Sequence, residues 1–576
     1  MDIKPLPVGV DDFEKLITRN YYFVDKTMFI KELLDKKGDV NLFTRPRRFG
    51  KSLNMSMLRY FFEDSRDENG QKVEKAYLFE NMNIMKSGDE YLQHMGRYPV
   101  ISLSLKSARQ KNYENSYTML VRAIAGEFFR HRLILESEKL AEKKERYLLL
   151  MREKAEPSSY YDSLRFLSEC LFLYYGTNAI ILIDEYDVPL ESGYQNGYYD
   201  EMVDFIRSLF ESALKTNLYL EFAVLTGCLP FEYGKFAKQT SEVSLSETLF
   251  TGMNNLKIIS ILNEKYDEYF GFTEKEVVQI CVDYGLSHKL ETIREWYNGY
   301  LFGSTNVYNP WSLIQFVDDL TVDQNCFPSS YWANTSSNSI VRSLIDWADR
   351  DVKDEIESLI AGGTIEKPVH EDITYDEVYA NMDNLWNFMF FTGYFRKIQE
   401  RMVERQRYIT LKIPNEEVRY IFENKILGWF SEQIKKRDHS RLFRAFLEQD
   451  EETVRDEIEE MLMQTISFYD AYESFYHGFL AGILYGIDGY IVKSNREGGT
   501  GRTDLFIKPV SRRKTAYVVE FKVAGKYTEL EEKAVEALKQ IESKSYEREL
   551  HDDGYASVIH YGISFFGKNC EVKIQE

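Results

Sequence analysis

Gly50, Lys51 and Ser52 close the stretch VNLFTRPRRFGKS, which runs from Val40 to Ser52 and reads as a strand, a tight basic loop and a helix start. These residue types at this spacing suit phosphate. Gly50 lets the backbone approach an oxyanion, Lys51 reaches the outer phosphates, and Ser52 offers a hydroxyl to Mg²⁺, all beside a helix N-terminus whose free N–H groups favour negative charge. A full G-x-x-x-x-G-K-[ST] loop carries Gly where this chain has Arg45, so the usual backbone nest is not assured. Arg45, Arg47 and Arg48 are expected to supply charge instead, with Phe49 beside them among the nucleotide-contacting residues.

A nucleotide site needs a second, acidic part. AIILIDEYD, from Ala179 to Asp187, supplies it: four apolar residues, Ile180 to Ile183, read as a strand buried on both faces, and Asp184 and Glu185 stand at its end. The first acid would orient Mg²⁺ and the second would activate the attacking water. Alone, such a pair is as readily a turn or helix cap. A third apolar run, LEFAVLTG, ends at Thr226, a polar residue placed to sense the γ-phosphate through bound water.

A second constellation lies near the C-terminus. GRTDLFI puts Asp504 at the start of one strand, and YVVEFKV puts Glu520 and Lys522 two residues apart, hence on one face of the next. Unpaired charge on so apolar a strand is costly. A metal ion between Asp504 and Glu520 would balance it, with Lys522 orienting or activating water. An isolated E-x-K reads more simply as an ion pair on an edge strand. Glu473 on the preceding helix, and Gln540 with Tyr546 on the following one, favour a nuclease-type site.

These motifs need elements to hold them. Strand candidates at Val40–Phe43, Pro99–Leu103, Ala179–Ile183 and Leu218–Leu225 alternate with helical stretches, which indicates a parallel α/β domain over residues 1–260. Between Arg130 and Glu156 the pattern reads as an exposed helical excursion. Helical patterns dominate residues 261–460, broken by WYNGYLFG and by YITLKIPNEEV, a strand followed by a helix start. Residues 461–576 read as α-β-β-β-α.

With 576 residues the chain exceeds one core, and about two to four domains are expected. No apolar run approaches the ~18 residues of a membrane span, and MDIKPLPVGV lacks the blocks of a signal peptide, so a soluble cytoplasmic protein is expected. The five cysteines are far apart without a C-x-x-C pair, which argues against a zinc knuckle or a disulfide framework. A formal net charge of −21 excludes nonspecific wrapping of nucleic acid, so any such contact must be local. Lys493, Arg496, Arg502, Lys508, Arg512, Arg513 and Lys514 form one basic stretch, read first as a solvated loop.

Taken together, YYFVDKT, LFTRPRRFGKSLNMSML, ILIDEYDVPL, WYNGY, VYNPWSL, TGYF, IPNEEV, ESFYHGFLAGIL, GRTD, VVEFK and ALKQIESKSY resemble a bacterial and archaeal family that joins an AAA-ATPase-like domain to a C-terminal PD-(D/E)XK nuclease-like domain. The resemblance implies an α/β multidomain chain: a P-loop, AAA-like parallel-sheet ATPase domain, a helical and winged-helix-like middle around TGYF and IPNEEV, and a restriction-endonuclease-like α/β domain. It implies ATP and Mg²⁺ at Lys51, Ser52, Asp184 and Glu185, and Mg²⁺ or Mn²⁺ at a nuclease core of Asp504, Glu520 and Lys522. Glu473, Gln540 and Tyr546 resemble the accompanying helix residues. DNA is the expected substrate, no membrane partner is expected, and a homo-oligomer is in keeping with the family. A part in defence or mobile-element biology rests on analogy. The segment after Thr226 contains no arginine, which leaves Arg294 as a substitute for an arginine finger.

Overall fold

The computed structural model describes residues 3–229, 249–250, 253–332, 350–369, 382–423, 438–463, 473–498, 501–544 and 547–575. The chain divides into two compact units, one of Met1–Ser337 with Glu366–Arg419 and one of Asn338–Ile365 with Tyr420–Glu576.

In the first unit, apolar runs form five parallel strands: β1 (Val40–Thr44), β2 (Val100–Ser104), β3 (Ala179–Asp184), β4 (Leu220–Gly227) and β5 (Leu256–Ile259). Their order is β2-β3-β4-β1-β5. β1 and β3 are buried along their whole length, as parallel strands covered on both faces must be. Because β4 lies between β1 and β3, three carboxyl ends meet at one edge of the sheet. Phe43 pairs with Thr226, and Ile183 with Leu225. Ligands of open α/β sheets bind outside such an edge.

Residues 130–156 differ from the expected exposed excursion. Two 3₁₀ segments, Arg132–Glu136 and Glu138–Lys143, lead into the helix Lys144–Met151, and Ile134, Leu140, Tyr147 and Leu150 are buried. Most of the charged residues that suggest exposure lie on the outer face, while Arg130 turns inward to Glu63 and Glu127.

Three further strands, β6 (Phe272–Thr273), β7 (Tyr300–Phe302) and β8 (Thr305–Tyr308), form a small sheet in the order β6-β8-β7. Beside it the helices Glu274–Asp283, Leu290–Tyr297 and Pro310–Val322 enclose a core that includes Leu6, Ile280, Tyr297, Tyr308, Leu313 and Phe316, with Tyr22 and Val24 packed against it. The first residues of the chain therefore belong to the same core as residues 274–320. Further on, the helix Met382–Phe391 precedes a hairpin of β10 (Arg396–Val403) and β11 (Gln406–Lys412), joined in one sheet by β9 (Ile365–Pro368). A helix followed by a hairpin is what a winged-helix-like element requires. The next helix start is capped by Asn415, whose Oδ1 accepts the Val418 N–H at 3.0 Å.

In the second unit a five-stranded sheet runs β12 (Tyr490–Gly498), β13 (Gly501–Pro509), β14 (Ala516–Val523), β15 (Val558–Phe566) and β16 (Asn569–Gln575) in chain order. β14 and β15 are parallel, with the helix Leu530–Lys544 as their crossover, and the remaining pairs are antiparallel. The α-β-β-β-α order read from the sequence thus stops two strands short. Gly562 in β15 brings the crossover helix close, since a Cβ there would stand 2.2 Å from the Ala534 carbonyl oxygen.

Glu417 is the one carboxyl of the IPNEEV segment that is fully buried. It accepts hydrogen bonds from Ser312 Oγ and the Trp332 N–H, each at 2.9 Å, and burial pushes it up to about 7. Its folded pKa is raised, so the folded state holds a proton that the unfolded state releases above about 4.3. Stability is then lost as pH rises from about 4.3 to about 7, by roughly 4 kcal/mol in all. Glu417→Gln is expected to remove this slope and leave the variant the more stable at pH 7. Urea unfolding at pH 5 and pH 7.5 checks it, and an equal slope in both proteins contradicts it.

Candidate nucleotide and nuclease-type sites

The helix Lys51–Phe62 begins at Gly50, which has φ +80°, and no side chain caps its first N–H groups. A residue with a Cβ is strained at this φ, which accounts for glycine here. Ser52 Oγ donates to Asp184 Oδ2 at 2.5 Å, and Thr226 Oγ1 donates to the other oxygen, Oδ1. One carboxylate at the end of β3 therefore holds the helix after β1 and the end of β4. Lys51 Nζ is folded onto its own loop, donating to the carbonyl oxygens of Arg45 and Pro46 at 2.8 Å each.

This end of the sheet opens into a cavity of about 570 Å³. Arg47, Arg48, Phe49, Gly50, Lys51, Ser52, Lys106, Arg109 and Glu185 line it, together with apolar groups of Leu6, Val10, Phe23, Ile280, Trp311 and Ile314. In a chain of net charge −21, several cations gather around this one cavity, and a cleft lined by cations attracts anions. Glu185 has φ +54°, and burial, then the neighbouring Asp184, raises its pKa. A carboxylate so placed is a better proton acceptor near neutral pH.

Arg45 departs from the expectation. It is completely buried, its guanidinium donates to the carbonyl oxygens of Thr44 (2.9 Å) and Ile259 (2.8 Å), and it lies over the Phe270 and Phe302 rings. Burial lowers its pKa to about 9. Arg45 ties the loop to β5 and the core instead of facing phosphate. Arg47 shares Glu191 with Arg109, and Arg48 stacks over Trp311 at 4.3 Å. Phe49 packs edge-on against Tyr300 and tilted against Phe302. Arg294 is engaged with Glu274 and Glu291, both at 2.5 Å, and does not line the cavity.

In the second unit, β13 and β14 set Asp504 beside Glu520, one step beyond the Leu505–Val519 pair. Asp504 Oδ2 accepts the Phe521 N–H at 2.8 Å, and Glu520 Oε2 faces the Asp504 N–H at 3.4 Å. Glu520 Oε1 accepts from Gln540 Nε2 on the crossover helix and lies 3.8 Å from Lys522 Nζ. Glu520 is only 3% exposed, so Gln540 and Lys522 are what make its burial tolerable. Glu473 opens the helix Glu473–Leu484, but its side chain and all of Tyr546 lie outside the described residues. Among the described residues no group of three His, Cys, Asp or Glu could hold a metal ion. Two carboxylates suffice for Mg²⁺ when water and phosphate oxygens complete its shell, so Asp504 and Glu520 fit the donor set. In the basic stretch, Lys508 is buried and paired with Asp553 at 2.8 Å.

Residues 7–236 match the family described as Predicted AAA-ATPase, and residues 471–575 match the PD-(D/E)XK nuclease superfamily. The chain thus joins an AAA-ATPase-like region to a PD-(D/E)XK nuclease-like one. An uncharacterized protein of the vnfD 5′ region of Azotobacter chroococcum mcd 1 is 26% identical over 347 residues, which span 60% of this chain and 57% of that protein. A solved structure, a signal transduction ATPase with numerous domains and a tetratricopeptide repeat sensor from Pyrococcus horikoshii, is 13% identical. The match covers 80% of this chain and 53% of that one, with a TM-score of 0.22, too low to bear on the fold.

Lys106, Arg109, Glu191 and Trp311 line or brace the cavity without having been singled out in the sequence. The signal for the first two was KSARQ directly after the β2 run, a basic turn at the same sheet edge as the acids. Arg45→Met is expected to lower stability by about 2–4 kcal/mol, through lost hydrogen bonds and cation–π contact. Denaturant unfolding measures it. An unchanged midpoint together with lost nucleotide binding would return Arg45 to the phosphate site.

Proposed function

We propose that the chain binds and hydrolyses ATP at the Lys51–Ser52 cavity and that nucleotide regulates a metal-dependent phosphodiester-cleaving site in its C-terminal unit, with DNA as substrate. The observation that carries the first half is the shared grip of Asp184 on Ser52 and Thr226 beside the cation-lined cavity. Ser52 and Asp184 would hold Mg²⁺, which supplies charge neutralisation at the phosphates. Lys51 leaves its loop carbonyls for the outer phosphates, Thr226 senses the terminal phosphate, and Glu185 takes the proton of the attacking water. Gly50 and the helix N-terminus bind the phosphate oxygens, with Arg47 and Arg48 adding positive charge. The apolar groups of the cavity would receive the base.

The second half rests on the meeting of Asp504, Glu520, Lys522 and Gln540. Asp504 and Glu520 would hold Mg²⁺ or Mn²⁺, which lowers the pKa of bound water and polarises the phosphodiester. Gln540 fixes the Glu520 carboxylate, and Lys522 orients the water. Glu473 and Tyr546 belong to the same reading through the helices that carry them. Contact of the phosphate loop with residues 300–311, through Phe49, Tyr300 and Trp311, supports a nucleotide-dependent middle region. We place the ATPase-like region at 1–260, the middle at 261–460 and the nuclease-like region at 461–576, in a cytoplasmic protein. Among the described residues no helix is long and apolar enough to cross a membrane.

One observation favours a second reading, a nucleotide-dependent switch or scaffold that binds nucleic acid or a protein without cutting: the formal net charge of −21 opposes broad contact with a polynucleotide. Cleavage of plasmid and linear DNA in Mg²⁺ or Mn²⁺, with and without ATP, separates the two. Asp504→Ala is expected to abolish cutting and spare ATP turnover, while Lys51→Ala lowers turnover ~100-fold or more and removes the ATP dependence of cutting. Wild type that hydrolyses ATP but cuts nothing favours the switch.

A further inference from the structure

Beyond Lys51 and the arginines of the phosphate loop, the ATP reading names no arginine for the terminal phosphate, since Arg294 is held elsewhere by Glu274 and Glu291. Two guanidiniums at the cavity meet on one oxygen. Arg47, from the phosphate loop, and Arg109, from the turn after β2, both donate to Glu191 Oε2, the latter at 2.5 Å. The Glu191 side chain is 4% exposed, whereas those of Arg47 and Arg109 are 30% and 44% exposed. A single buried carboxylate is thus shared by two guanidiniums at the cavity wall.

The position of this pair follows from the sheet. β2 is the outer neighbour of β3, Ser104 pairs with Asp184, and the Leu105 N–H donates to the Asp184 carbonyl oxygen at 3.0 Å. The turn that carries Arg109 is therefore fastened to the strand that carries Asp184 and Glu185. Glu191 stands on the helix Val188–Asn196 that follows the same acids. Charge, acid and phosphate loop are braced to one another within a single chain.

We infer that Arg109, held in place with Arg47 by Glu191, is an intrachain arginine that contacts the terminal phosphate of ATP, so that hydrolysis needs no arginine from a second copy. In the step it serves, the water oxygen bonds to the γ-phosphorus and the bond from that phosphorus to the β–γ bridging oxygen breaks. ADP leaves with the electron pair, and the water proton passes to Glu185. Negative charge that shifts toward the bridging oxygen and the equatorial oxygens is what a fixed guanidinium stabilises. Arg109 would be a catalytic residue, and Glu191 a positioning residue that acts through it.

This inference rests on the ATP reading, and the test separates the two. ATP and ADP binding and turnover are measured for the full chain, for Arg109→Ala, Arg109→Lys and Glu191→Gln, and for Lys51→Ala mixed in equal amounts with Arg109→Ala. Expected are a fall in kcat of ~10³-fold in Arg109→Ala with ADP affinity within about threefold of wild type, and a smaller fall in Arg109→Lys. Glu191→Gln is expected to lie between these two with its ADP affinity likewise kept. The mixture is expected to stay inactive, because neither chain has both groups. Recovery of turnover in the mixture places the arginine in trans and overturns the inference, as does wild-type kcat in Arg109→Ala. Equal loss of ATP and ADP affinity in Arg109→Ala overturns it in favour of a structural role. If wild type itself binds no nucleotide, the ATP reading falls and this inference with it.

Discussion

The carboxylate of Asp184 is the constraint on which the nucleotide-type site depends. Its two oxygens hold two hydroxyls, Ser52 from the helix after β1 and Thr226 from the end of β4. With β4 placed between β1 and β3, that grip requires all three strands to end at the same level. A register slip would move the acid away from the phosphate loop and turn its side chain to the opposite face of the sheet. Buried carboxylates are costly without partners, and these two hydrogen bonds make the burial of Asp184 tolerable.

From this point the loop is fastened outward by side chains of several kinds. Arg45 binds it to the Ile259 carbonyl and to Phe270 and Phe302. Phe49 meets Tyr300 and Phe302, and Arg48 lies on Trp311. Pro46 approaches Gly393 so closely that a Cβ on that glycine would stand 3.0 Å from its own Cβ. The segments WYNGYLFG, VYNPWSL and TGYF all reach the loop. Any change in the loop has close-packed neighbours to move, and packed interiors transmit displacement instead of absorbing it.

Local chemistry made much of this legible in the sequence. The Gly50-Lys51-Ser52 turn, the Asp184-Glu185 strand end and the E-x-K strand are written in a few consecutive residues, and apolar runs located β1 to β4 to within a residue or two. Interactions between residues far apart in sequence were not legible. Arg45 looked like loop charge because the Ile259 carbonyl that holds it lies 214 residues away. Glu191 and Arg109 meet across 82 residues, and neither segment alone suggests the other. β15 and β16 lie within the expected domain but beyond the α-β-β-β-α order read from the sequence. In the C-terminal unit, Gln540 was reached through the helix after the E-x-K strand and the family resemblance, while the close approach at Gly562 that brings its helix to Glu520 could be read only from the packing.

The most direct measurement is a structure of the full chain with Mg²⁺ and a nonhydrolysable ATP analogue. The account predicts the triphosphate along Gly50–Ser52, Lys51 released from the Arg45 and Pro46 carbonyls, and the direct Ser52–Asp184 hydrogen bond opened by an intervening ion. Nucleotide bound elsewhere, or Lys51 still on its loop carbonyls with the triphosphate in the cavity, would contradict it.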